Sequence, residues 1–279
     1  MFLANPLTYW EAVKEVFNII YRSRQLIWEM SKREITDRYA GQFIGTIWAI
    51  GHPLFIMGIY AVVFTLVFKV KAGETFELPL DYTAYLISGY LPLVTYHEVM
   101  SKACSAITGS SNLVKQVVFP IEILPVKSVL ASLFTQIIGT IFLVLYILVK
   151  TGPASLPWTY ILLLPVLLIH ITGMIGISFF LSSISVYFRD MKDFILVFSV
   201  ANMYIVPMFY LPEWVPEKLA PILKVNPFSH LIWVFQDICY FGRVEHPVSW
   251  FVFMGISLAS IILGYQVFRK TKVGFGNVL

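Results

Sequence analysis

The chain has 279 residues, of which 58% are hydrophobic and only 13% charged, and its formal net charge is +4. A water-soluble domain carries about 25% charged residues, so this chain cannot cover itself with polar surface, and lipid must be its main solvent. The small positive excess does not point to nucleic acid, because it lies in loops between long apolar runs.

An all-α membrane protein follows, organised as one membrane domain over 1–279. Residues 1–42 come first, polar and charged, with no short apolar run and cleavage site of the signal-peptide kind. Within them Trp10, Val13, Val16, Phe17, Ile20, Ile27 and Trp28 fall on one side of a helical wheel. Glu11, Lys14, Glu15, Arg22, Glu29, Lys32 and Arg33 fall on the other. That pattern over 10–35 predicts an amphipathic helix lying in the membrane interface, with packing on a soluble partner as the alternative.

A spanning helix needs about 20 mostly apolar residues. Five such runs lie in 43–211, at 43–68, 82–103, 128–149, 158–188 and 194–211, and a sixth lies at 248–268. Six transmembrane helices are therefore expected. Residues 212–247 hold Pro212, Pro216, Pro221 and Pro227, followed by an apolar stretch too short to cross. Leaving and returning on one side makes them a re-entrant periplasmic pair of helices before helix six, or else a folded external cap. With the N-terminus inside, 14 of the 20 Lys and Arg residues fall in inner segments. The positive-inside rule then puts both termini, including the tail over 269–279, in the cytoplasm of a multi-pass inner-membrane protein.

Little catalytic chemistry is visible. Cys104 and Cys239 stand far apart without a CxxC setting, and the histidines are scattered, so no cofactor and no metal is expected. The phosphate-cradling G-x-x-x-x-G-K-[ST] loop is absent. Ion-driven carriers use charged relays inside the membrane. Here only His97, Glu98 and Lys102 in the second run and His170 in the fourth qualify. Energy for uphill transport is thus expected from another chain. Tyr82, Tyr85 and Tyr96 share a face of the second run with Gly89, and Trp48 and Tyr60 stand on the first. Aromatic rings with polar tips can line a sugar channel. The same residues also suit an interfacial belt or ordinary packing.

Four motif groups occur in order along the chain. The first is Lys32-Arg33-Glu34-Ile35, Arg38-Tyr39, Gly45-Thr46-Ile47-Trp48 and Pro53. The second is Asn112-Leu113-Val114-Lys115, Phe119-Pro120 and Ile123-Leu124-Pro125. The third is Val186-Tyr187-Phe188-Arg189-Asp190. The fourth is Pro212, Val215-Pro216-Glu217, Asn226-Pro227-Phe228 and Leu231-Ile232. Together they resemble the ABC-2 type permeases, and most closely the branch that exports O-antigen, capsule and teichoic acid.

The resemblance implies the same six-span plan, with Arg33, Arg38 and Tyr39 leading from the interface helix into span one. It implies a homodimer embedded among membrane lipids, driven by two copies of a separate ABC ATPase subunit and exporting a lipid-linked polysaccharide, with no nucleic acid involved. It places an ATPase-coupling helix at about 110–122, with Asn112, Lys115, Phe119 and Pro120 as its motif residues. Pro212, Pro216, Asn226 and Pro227 would form a periplasmic gate. His97-Glu98 departs from the aromatic pattern expected beside Tyr96. Two other readings stay open: an ABC-2 permease for a drug or lipid, and a membrane-embedded transferase using Asp190 and Asp193.

Overall fold

A computed structural model describes residues 6–43, 45–63, 79–116, 119–152 and 157–279. Among them every regular element is helical. In chain order these are α1 (Pro6–Arg22), α2 (Arg24–Arg38), α3 (Trp48–Val62), α4 (Tyr82–Ala106), α5 (Ser111–Gln116) and α6 (Ile123–Thr151). There follow α7 (Leu163–Tyr187), α8 (Met191–Ile205), α9 (Ala220–Val225), α10 (Pro227–Gln236), α11 (Pro247–Thr271) and α12 (Phe275–Val278). Residues 64–68 of the first expected run lie outside the described residues.

Local chemistry explains the boundaries. Asp81 caps α4 by accepting from the Ala84 N–H at 3.1 Å, and Asn226 caps α10 by accepting from the Phe228 N–H at 2.9 Å. Pro227 and Pro247 open α10 and α11, where a missing N–H costs nothing. Gly152, at φ 84°, ends α6 in a conformation that side chains resist. Among the described residues, three helical stretches are long and apolar enough to cross a membrane: Ile123–Thr151, Trp158–Tyr187 and Pro247–Gly274. The apolar helix α3 is shorter.

The interface region departs from the expected single helix over 10–35. It turns at Ser23, so that α1 packs on α11 while α2 packs on α6. Val16 and Ile27 are buried, but Phe17 and Trp28 are each 58% exposed, so the apolar wheel face is divided between protein and surroundings.

Most of α4 is buried, among α6, α7, α8 and α10. The closest helix pair is α7 with α11. Lipid tails are as apolar as leucine, so helices associate in membranes chiefly by close van der Waals fit, which small residues permit. Gly176 and Gly264 meet there backbone to backbone, and a Cβ on Gly173 would stand 2.8 Å from the Ser257 hydroxyl. A second buried cluster lies where α4 ends and α6 begins. It joins Val16 and Ile27 to Ile107, Ile123, Phe179, Phe268 and Phe275.

Candidate functional site

Two helices stand apart from this tight body. α3 packs mainly on α6, whereas α8 packs mainly on α4. Between them runs a groove of about 330 Å³. Its floor is one stripe of α4: Tyr90, Val94, His97 and Ser101, at spacings of four, three and four, which align on one helical face. His52, Pro53 and Ile56 form the α3 wall, and Leu196 and Ser199 form the α8 wall. Aromatic rings continue beyond the floor. Tyr60 meets Tyr90 edge-on at 5.1 Å and Phe209 at 6.3 Å, and Tyr204, 68% exposed, lies 5.9 Å from Phe209.

One end of the groove is closed by charge. Arg38 of α2 pairs with Glu98 of α4, and Lys102 also reaches Glu98, at 3.0 Å. Lys102 then reaches Glu34 at 3.4 Å, Lys127 of α6 reaches Glu34 at 3.4 Å, and Ser128 donates to Glu34 at 3.2 Å. Two carboxylates and three cations thereby tie α2 to α4 and α6. Partial burial disfavours charge on Arg38, but the Glu98 carboxylate outweighs this and raises the guanidinium pKa above its usual value. His97 and Glu98, unexpected on the sequence pattern, thus have separate duties, Glu98 in this network and His97 in a second one.

That second network crosses three elements. Asn226 Nδ2 donates to Asn202 Oδ1 at 2.8 Å, and Asn202 Nδ2 lies 3.0 Å from His97 Nε2. The cap of α10, the last turn of α8 and the floor of the groove are so joined by buried and half-buried hydrogen bonds, which are costly to leave half-made. Phe228 packs edge-on against Tyr96 at 5.3 Å and against His97 at 5.5 Å.

The expected channel tyrosines occupy the other side of α4. Tyr82 is 5% exposed, Tyr85 1% and Tyr96 9%. Tyr82 donates to the Phe209 carbonyl, Tyr85 to the Pro207 and Tyr210 carbonyls at 3.0 and 3.1 Å, and Tyr96 to the Gly173 carbonyl at 3.2 Å. Gly89 on that face makes room for α10, since a Cβ there would lie 2.9 Å from Ile232 and 3.1 Å from Gln236. Tyr60 is half-buried beside the groove, and Trp48 is 36% exposed at the start of α3.

Near the second cluster, α5 presents Asn112 and Lys115 outward, Pro120 is exposed and Phe119 half-buried. Val114 and Ile121 lean on the cluster. A groove of about 650 Å³ separates this segment from α2, with Arg33, Glu34 and Asp37 on one side and Leu113 and Phe119 on the other. Arg33 is bonded to Asp37 at 3.3 Å and Tyr39 lines the groove between α3 and α8. Of the proline-rich positions, Pro216 and Pro227 are exposed and Pro212 and Asn226 half-buried. Only Asn226 joins the hydrogen-bond chain.

Residues 25–240, from α2 to the turn after α10, match the ABC-2 type transporter family. The chain belongs to that family. This ABC-2 chain is also similar over nearly its whole length to curated permeases. It is 24% identical to an O-antigen export system permease protein, RfbA, of Klebsiella pneumoniae, covering 96% of this chain and 100% of that one. It is 24% identical to the RfbA of Myxococcus xanthus, covering 92% and 96%. It is 21% identical to the capsule polysaccharide export inner-membrane protein CtrC of Neisseria meningitidis, covering 90% and 92%.

Three residues of this arrangement escaped the sequence reading. Tyr90 belongs to the 90-94-97-101 stripe, which is legible as a period but no more polar than its neighbours. Asn202 was visible as an uncharged polar residue in an apolar run. Asp237, fully buried, accepts from the His246 N–H at 3.0 Å and from Trp250 Nε1 at 2.9 Å, and it contacts His246 Nδ1 at 2.8 Å. It ties α10 to α11; its charge stood out in the apolar stretch 228–241, but nothing in the sequence named His246 and Trp250 as its partners.

Proposed function

We propose that this chain is the membrane permease subunit of an ABC exporter that carries a lipid-linked polysaccharide across the inner membrane. The observation that carries the reading is end-to-end similarity to O-antigen and capsule export permeases. A long groove with aromatic rings and hydrogen-bonding groups agrees with it. Sugar hydroxyls left unpaired in hydrocarbon cost several kcal/mol each, so a path for them must offer polar tips. Tyr60, Tyr90, His52 and Ser199 supply these between α3 and α8. Tyr82, Tyr85 and Tyr96 form the wall behind the floor.

The chain crosses the membrane six times, by α3, α4, α6, α7, α8 and α11, with both termini in the cytoplasm. The burial of α10 against α4 and α11 supports a re-entrant pair, α9 and α10, dipping from the periplasmic side. Two copies enclose the path, each bringing one groove. Two ATPase subunits dock at about 110–122, where Asn112 and Lys115 face outward and Phe119 is half-buried.

Deletion of the gene should leave lipid-linked polymer inside the cell and strip it from the surface, with recovery on complementation. Normal surface polymer in the deletion strain would end the proposal. Orientation has its own test in a background lacking Cys104 and Cys239. Cysteines at Arg33 and Val273 should resist an impermeant thiol reagent in intact cells, and one at Arg243 should react. These three positions are exposed, whereas Ser31 is buried and unsuitable.

A further inference from the structure

The residues after α11 read in the sequence as part of a cytoplasmic tail, yet they are built into the fold. Lys272 Nζ donates to Glu122 Oε1 at 2.6 Å, and Glu122 is only 5% exposed. Glu122 is the last residue of the 110–122 segment, immediately before α6. Phe275 is fully buried. It packs against Phe268 at 5.7 Å and Tyr187 at 6.3 Å, in the cluster on which Val114 and Ile121 lean. Tyr187 donates to the Thr271 carbonyl at 3.1 Å, and a side chain at Gly274 would meet that tyrosine's hydroxyl at 2.7 Å. The segment over 272–279 is thus held on both sides, by α7 and by the residue that ends the exposed loop.

We propose that residues 272–279 are a positioning element for the ATPase-facing segment, with Lys272 bracing Glu122 so that force on 110–122 reaches α6, α7 and α11 together. This rests on the reading of 110–122 as the docking segment. A salt bridge whose acid is buried is expensive to break from one side, because the remaining charge is uncompensated. A purely adhesive tail needs no charge there, and apolar packing of Phe275 would suffice. Lys272 and Glu122 lie 150 positions apart in sequence, and they join the two ends of the cluster that α1, α2 and α5 share.

The test uses the complete complex with its ATPase in proteoliposomes, reading polymer moved per ATP hydrolysed. Lys272→Glu and Glu122→Lys should each lower that ratio by about fivefold or more, the low end of ordinary couplings between sites, while the assembled complex still purifies. The exchanged pair, Lys272→Glu with Glu122→Lys, should restore it. Lys272→Met with Glu122→Gln leaves no buried charge and guards against misfolding; it should assemble normally and remain uncoupled. An unchanged ratio in the single variants, or no recovery in the exchange, overturns the proposal. Phe119→Asp reads docking separately. Full ATPase capture by that variant sinks the docking segment, whereas lost capture beside a normal ratio in Lys272→Glu sinks only the brace.

Discussion

The seam between α7 and α11 and the gap between α3 and α8 are built from similar apolar helices and serve opposite ends. In the seam, Gly173, Gly176 and Gly264 face backbone or a serine, and any Cβ would collide. In α3, a Cβ on Gly58 would meet nothing within 4 Å. Glycine in the first region permits contact, and in the second it leaves a surface open. Around α8 the same looseness appears as exposed Phe194, Val197, Val200 and Tyr204, with only Ile195 and Asn202 fully buried. A transporter needs both kinds of region: a rigid body that transmits force and a flank that can part around cargo. The polar groups follow that division. Asp237 fastens α10 to α11 on the rigid side, while His97, Asn202 and Asn226 stitch the loose side to it.

The sharpest way to break the contrast is to fill the two kinds of glycine. Gly176→Leu should destabilise the protein by about 3 kcal/mol, the upper range for overpacking, and abolish stable extraction in detergent. Gly58→Leu should leave the melting temperature of the purified complex nearly unchanged. Equal effects would show that the seam is not specially tight.

A comparable loss is expected at Asp237. Asp237→Leu strands the His246 N–H and Trp250 Nε1, and each unmet buried group costs about 1–3 kcal/mol. Thermal unfolding should show that loss, and Asp237→Asn should recover part of it, because its carbonyl can still accept. Full stability of the leucine variant would remove this fastening from the account.

Asn202 probes the junction of the two regions. Asn202→Leu deprives His97 and Asn226 of their shared partner, so export should fall more than stability, which should drop by about 1–2 kcal/mol. Polymer export normalised to folded complex measures the difference. A variant that loses only stability would make the chain of hydrogen bonds a plain fastening.

The smallest stability effects should come from the two faces of α4. Tyr85→Phe removes a hydrogen bond to two carbonyls and should cost about 1 kcal/mol with little change in transport per folded molecule. Tyr90→Phe combined with Tyr60→Phe keeps both rings and removes both hydroxyls together, so it should do the reverse, leaving melting nearly unchanged and slowing the export of long chains. If the pattern is inverted, polymer touches the Tyr85 face instead of the groove.

Much of this plan is legible without coordinates, and the reason is chemical. Apolar runs of spanning length cannot be hidden in water, so composition alone demanded a membrane protein, and prolines and charges punctuated the helices near 82, 123, 163, 191 and 247. The interface segment was legible as amphipathic because one side must face water. Its turn at Ser23 was not, because that depends on α6 and α11 offering separate surfaces. What tertiary structure alone decided is which side of each buried helix faces its neighbours, a gap, or lipid. In water, polarity marks the outer face of a helix. In lipid, both the inside and the outside are apolar, so the period of α4 could not tell the Tyr82-Tyr85-Tyr96 face from the Tyr90-Val94-His97 face. Arg38 lies 60 positions from Glu98, His97 105 from Asn202 and Lys272 150 from Glu122, and only the packing of the helices brings them within reach.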